Sequence, residues 1–134
     1  MNTLFLPMFA HVILCIVLYG LLTIARAPSI WGLGQRADGS NPFQSIQPKL
    51  SANLSNQFEW PMFFHLICVL LMSSGSQISS VYCLLAWVFV AGRVMHSGVQ
   101  VFTANIRLRG IVFTINFIAV IAMWLMYCIE HIGS

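Results

Sequence analysis

Acidic side chains are almost missing from this chain. Only three Asp or Glu stand among its 134 residues, and charged residues of both signs make up 7%. A soluble domain carries charge on about a quarter of its residues. So few charges cannot cover a water-facing globule of this length, which still exposes much of its surface. The 59% of residues that are hydrophobic must therefore meet a solvent other than water, and a bilayer supplies one. The formal net charge of +3 is small and divided between two segments, which excludes a nucleic-acid surface. No Cys-x-x-Cys occurs. Cys15, Cys68, Cys83 and Cys128 each lie in an apolar run and read as small packing residues, not as a disulfide framework or metal ligands. There is no phosphate loop, no Ser–His–Asp arrangement, no metal-ligand cluster, no internal repeat and no low-complexity segment.

What the chain has is long charge-free runs. The first covers residues 4–25, long enough to cross roughly 30 Å of hydrocarbon at 1.5 Å per residue. It has no Lys or Arg before it and is longer than the apolar core of a signal peptide, so it reads as a retained first span. Residues 26–51 hold Arg26, Arg36, Asp38 and Lys49 among prolines and glycines and read as a polar loop. The run from Trp60 to Gly92 is too long for one crossing, and the polar segment from Ser73 to Ser80 divides it by a tight turn. The expected architecture is an all-α integral membrane protein, a bundle of four transmembrane helices at about 4–25, 51–72, 81–106 and 110–129, in one domain. All five loop bases fall in the first and third loops. The positive-inside rule puts those loops in the cytoplasm and both termini on the other side.

Ionisable residues inside a span cost roughly 2.5–3.5 kcal/mol each and need a reason. Glu59 in the second span and Arg93 in the third stand out. Asn56 and Glu59 are three residues apart and share a face, with Pro61 close behind as a source of a kink. Arg93, His96, Gln100 and Arg107 form a stripe near helical period on the third span. By the orientation above, the two groups share a layer near the cytoplasmic side. Two readings fit: a buried Glu59–Arg93 ion pair locking two helices, or a polar cavity for a charged ligand. His11 and His65, isolated in apolar surroundings, read as hydrogen-bonded packing residues.

Four short spans, Asn56-x-x-Glu59 followed by Pro61, and Arg93-x-x-His96 leading to Arg107 resemble the MAPEG family, membrane-associated proteins in eicosanoid and glutathione metabolism. The second-span segment looks most like the small bacterial members, which implies a bacterial inner membrane. The resemblance implies a homotrimer whose active sites lie between neighbouring subunits near the cytoplasmic face. Glutathione would bind there, with Asn56, Glu59, Arg93, His96 and Gln100 contacting it. Arg107, and Arg26 at the end of the first span, would stabilise its thiolate. A thiol needs such nearby positive charge to ionise at neutral pH. The thiolate would attack or reduce a lipophilic small molecule arriving from the bilayer, as a transferase or peroxidase. Two positions depart from the family pattern. Ala52 and Ser55 occupy the places where a carboxylate-clamping arginine is expected, and Gln100 stands where a tyrosine is. A non-catalytic membrane protein of the same fold, binding lipid or a partner, therefore stays open beside the enzyme. A small multidrug transporter of four helices is disfavoured, because the first span has no glutamate.

Overall fold

The computed structural model describes residues 3–133, and among them there are helices and no strands. Five helices follow one another: α1 Phe5–Trp31, α2 Gln47–Asn56, α3 Pro61–Ser73, α4 Ser80–Phe102 and α5 Ile106–Ile132. Three of them, α1, α4 and α5, are long and apolar enough to cross a membrane. Most large apolar side chains on their outer faces are exposed, Ile16, Ile24, Leu84 and Ile118 among them. Contiguous apolar surface on this scale marks faces covered by lipid or by another protein.

The first helix runs further than charge alone suggests. It continues through Arg26 and Pro28 to Trp31 and stops at Gly32, whose φ of +72° closes the helix in the left-handed conformation. At 27 residues it is about 40 Å long, so its last turns rise beyond a ~30 Å hydrocarbon core. Asn41 holds the following loop down by donating to the Ala25 carbonyl at 2.9 Å and to Ser29 Oγ at 3.0 Å.

The stretch expected as one span over 51–72 is two helices joined by a tightened turn. Gln57, Phe58 and Glu59 donate their N–H groups three residues back, to Leu54, Ser55 and Asn56. Pro61 explains the break: it has no N–H to offer Gln57, and its ring would press on that carbonyl in a continuous α-helix. It sits instead at the start of α3, where a missing N–H costs nothing. α2 is consequently a short polar helix at the end of the molecule that carries the basic loops, and α3 alone is about 20 Å long.

The third and fourth long helices are also divided earlier than expected. α4 ends at Phe102, where the Thr103 hydroxyl turns back onto the Val99 carbonyl at 2.6 Å. Asn105 then caps α5, its side chain accepting from Leu108 N–H at 3.0 Å. Arg107 therefore belongs to the first turn of α5 and not to the stripe of Arg93, His96 and Gln100 on α4. At the opposite end of the molecule, residues 74–79 form the turn between α3 and α4, with Gly75 at a φ of +72° and Ser79 capping α4.

Two apolar clusters hold the bundle. One packs Phe64, Ile67 and Leu71 of α3 with Tyr82, Ala86 and Phe89 of α4 and Val120 and Met123 of α5; Phe64 and Phe89 stack at 4.2 Å. The other joins Leu18, Leu22 and Ala25 of α1 to Leu50 and Leu54 of α2 and Val101 of α4, at the basic end. α4 and α5 make the most extensive helix pair. Gly92 permits their close approach, because a Cβ there would lie 2.1 Å from Asn116 Oδ1. Small residues at such seams are the usual means of bringing membrane helices together. A Gly92→Ala protein is expected to lose about 1–3 kcal/mol of stability by overpacking. A Gly92→Ala/Asn116→Ala protein is expected to regain most of it, and thermal unfolding in detergent checks both.

Candidate functional site

Between the two apolar clusters lies a belt of buried polar side chains. His11 of α1, Asn53 of α2, Gln57 in the turn after it, and Arg93, His96 and Ser97 of α4 are all 6% exposed or less. Gln57 is the hub. Its amide nitrogen donates to the Asn53 carbonyl at 3.2 Å and to Asn53 Oδ1 at 3.1 Å. A carbonyl can only accept, so the orientation of the Gln57 amide is fixed. Gln57 Oε1 then accepts from Arg93 Nε at 3.2 Å and from His11 Nε2 at 2.8 Å. With its proton on Nε2, neutral His11 has a lone pair on Nδ1, and His65 Nε2 donates to it at 2.8 Å. At the other end, Asn53 Nδ2 donates to Gln100 Oε1 at 2.8 Å. One hydrogen-bonded chain therefore runs His65–His11–Gln57–Asn53–Gln100 across α3, α1, α2 and α4, with Arg93 joined at its centre.

Several atoms of the belt have no hydrogen-bond partner among the described residues: Arg93 Nη2, His96 Nδ1 and both polar atoms of Asn116. His96 and Asn116 share the α4–α5 seam, since Asn116 lies over Gly92, one turn before His96. The His96 ring is tilted against Phe113 of α5 at 6.1 Å.

The residues singled out by sequence are distributed in three places. Arg93, His96 and Gln100 are in or beside the belt. Asn56 is half-buried and Glu59 exposed, and neither joins it. Arg93 reaches Gln57 and not Glu59, so of the two readings the Glu59–Arg93 ion pair does not form, and the partner of Arg93 is an amide. Asn53 and Gln57 are four residues apart, about 40° around a helix, whereas Glu59 lies about 160° from Gln57. The inward face of this segment is thus set by Asn53 and Gln57. That i, i+4 amide pair is a signal the sequence contained, and charge drew attention away from it. Arg107 is exposed at the start of α5, and Arg26 is half-buried at the end of α1.

Two clefts open at the basic end, on separate faces of α2. The larger, about 400 Å³, is lined by Lys49, Ala52, Gln100, Thr103, Asn105 and Arg109. The other, about 230 Å³, lies toward α1 and is lined by Arg26 with Tyr19, Ser51, Ser55 and Phe58. Arg26 therefore does not share a cleft with Gln100 or Arg109 within the chain. A third cleft, about 310 Å³, opens toward the bilayer between α1 and α3 beside His11, Cys15 and Met62.

A model of the MAPEG family matches residues 4–129 of this sequence. The chain belongs to the MAPEG family. No curated protein and no solved structure matches it. MAPEG membership and the three apolar helices make it an integral membrane protein. The family is generally associated with glutathione.

Because the side chains of Asn53, Arg93 and His11 converge on Gln57, its loss strands buried polar atoms on those three residues. A Gln57→Leu protein is expected to lose about 3 kcal/mol, the desolvation cost of leaving a charged donor unsatisfied. Gln57→Glu is expected to lose less, since a carboxylate still accepts from Arg93 and His11, although its second oxygen meets the two Asn53 acceptors to which the amide nitrogen donates. Chemical denaturation in detergent separates the two outcomes, and equal losses would show that Gln57 is not the hub.

Proposed function

We propose that this MAPEG protein binds glutathione at its basic end, as a multi-pass homotrimer, and turns the thiolate on lipophilic molecules from the bilayer. The observation that supports this most is the cleft of about 400 Å³ holding Lys49, Gln100 and Arg109, with no carboxylate among its lining residues. Its size falls within the range of small-molecule sites. Arg107 and Arg109 occupy the first turn of α5, where the helix dipole disfavours cations and no acidic residue offsets them. A bound carboxylate or thiolate would relieve that repulsion. In this reading Lys49 and Arg109 take the carboxylates and Gln100 offers a neutral contact. Arg107, exposed on the same first turn of α5 as Arg109, would stabilise the sulfur as thiolate, which then adds to an electrophile or reduces a peroxide. Asn56 and Glu59, which do not join their own chain's belt, would meet a ligand held by a neighbouring subunit. The basic end faces the cytoplasm, α2 with α3 completes the fourth crossing, and the membrane is a bacterial inner membrane.

One observation favours the second reading, a non-catalytic protein of the same fold that binds lipid or a partner. The cleft wall offers Ala52 where an arginine would clamp a carboxylate, and Gln100 is already bonded to Asn53.

Calorimetric titration of the purified protein with glutathione is expected to saturate in the millimolar range. Arg109→Ala should weaken that binding about tenfold, the equivalent of one charge-assisted hydrogen bond. Arg107→Ala should remove the ultraviolet absorbance of bound thiolate. Absence of saturable binding by the wild-type protein would rule out the thiol site. Saturable binding without conjugation of a reactive aromatic halide, or reduction of a lipid hydroperoxide, would select the non-catalytic reading.

A further inference from the structure

Two histidines face each other within the apolar part of this bundle, His11 buried on α1 and His65 half-buried on α3. An ionisable side chain at such depth needs a reason. His11 Nδ1 and His65 Nε2 stand 2.8 Å apart. Their ring centres are 5.0 Å apart, close to the separation reached when both nitrogens lie on the line between the centres. The two nitrogens therefore point at each other. His11 is held in this pose from behind. Its Nε2 donates to Gln57 Oε1 at 2.8 Å, which leaves a lone pair on Nδ1 aimed at His65. One ring nitrogen tied to a carbonyl oxygen, with the other turned to a partner, is the arrangement that orients a histidine toward a metal.

Sulfur flanks the pair. Cys15 follows His11 by about one turn of α1, and Met62 precedes His65 by about one turn of α3, so each sulfur shares a face with its histidine. All four side chains line the cleft of about 310 Å³ between α1 and α3, and the Cys15 thiol is free. No motif marks this set in the sequence, because each helix supplies half of it. None of the four lines a cleft at the basic end, so the site does not rest on the thiol reading. The donors select the ion. Among the described residues no three of His, Cys, Asp and Glu gather into the closed cage that structural zinc requires. Hard cations take oxygen ligands, and no carboxylate lines this cleft. Imidazole with thioether and thiol is a soft set suited to copper(I). Copper(I) accepts two ligands in line. With bonds of about 2 Å the nitrogens would stand about 4 Å apart, so the rings need to part by roughly 1 Å. The His65 proton moves from Nε2 to Nδ1, which frees the second lone pair.

We propose that His11 and His65 bind one copper(I) ion between α1 and α3, in line through His11 Nδ1 and His65 Nε2, with the sulfurs of Met62 and Cys15 as further ligands on the side of the cleft. Cys15 binds as thiolate and releases its proton to solvent. The thiolate then cancels the single charge of the ion, which lowers the cost of holding it in apolar surroundings.

Anaerobic titration of copper(I) into the full-length protein in detergent, against the coloured chelator bicinchoninate and without added thiol, tests this. The wild-type protein is expected to take one equivalent per chain from the chelator. X-ray absorption of the loaded protein should show nitrogen and sulfur neighbours. His65→Gln keeps a donor for His11, and with it the fold, but removes a ligand. Its affinity for copper(I) should fall about a hundredfold, the upper end of what loss of a mere outer partner costs. Met62→Leu/Cys15→Ala should bind about tenfold more weakly, the lower end of the same range. Cys83→Ala/Cys128→Ala removes the other two thiols that are not buried and should bind as the wild type does. No uptake by the wild-type protein would overturn the proposal. So would wild-type affinity in His65→Gln or in Met62→Leu/Cys15→Ala, or lost uptake in Cys83→Ala/Cys128→Ala, which would place the metal on those thiols instead.

Discussion

A guanidinium does not give up its proton, and Arg93 buries one in the middle of an apolar bundle with 1% of its surface exposed. Whatever surrounds it has to supply acceptors, because breaking the partnership of a buried charge costs about 3–5 kcal/mol. Gln57 supplies the one acceptor its Nε uses. To do so, Gln57 needs its own amide nitrogen satisfied, which Asn53 does, and Asn53 in turn leans on Gln100. The partnership of one charge thus recruits side chains from α2 and α4. His11 and His65 extend it into α1 and α3, so the belt crosslinks four helices at one depth.

The break between α2 and α3 is part of the same solution. A continuous helix through residues 47–73 would leave Pro61 without its hydrogen bond in an environment with no water to compensate. The tightened turn satisfies the backbone locally and delivers Gln57 to the bundle interior. It also frees α2 to stand as a separate polar helix at the basic end. Its inward face, Leu50 and Leu54, packs on α1 and α4, while its two flanks border the two basic clefts. Both clefts are consequences of a helix too polar to be buried all round and too short to cross.

The membrane character was legible because it follows from run lengths, which survive any detail of packing. Residues 4–25 and 110–129 carry no charge and, but for the N-cap Leu4, fall inside helices of 27 residues. The serine turn was legible for a similar reason: Gly75 and its serine neighbours are turn formers in the middle of an overlong apolar run. Three things were not. Charge gave no warning that α1 continues past Arg26, because a helix emerging from hydrocarbon tolerates a base there. The end of α4 depends on Thr103 and Asn105 capping two different helices, a signal too weak to outweigh the periodic stripe leading to Arg107. The inward face of the second segment went to Asn53 and Gln57, because an amide still accepts from Arg93 and costs less to bury than a carboxylate.

Amides also explain why the basic end keeps its charge. Asn53, Gln57 and Gln100 each donate and accept, so they extend the partnership of Arg93 without adding a carboxylate to the interior. Of the three acids of the chain, two are hydrogen-bonded and the third is open to solvent. Asp38 is bound by the Ser40 hydroxyl at 2.6 Å and by its N–H at 3.0 Å, bonds that hold its carboxyl below the usual range. Glu130, at the far end, accepts from Tyr82 at 2.9 Å, and Glu59 is exposed. No carboxylate lines either cleft at the basic end, where Arg26, Lys49 and Arg109 form part of the walls. Cations gathered at one end of a membrane protein without internal acids are balanced from outside, by soluble anions or by lipid head groups. The scarcity of acidic residues that first marks this sequence as a membrane protein is therefore also what leaves its clefts suited to anions.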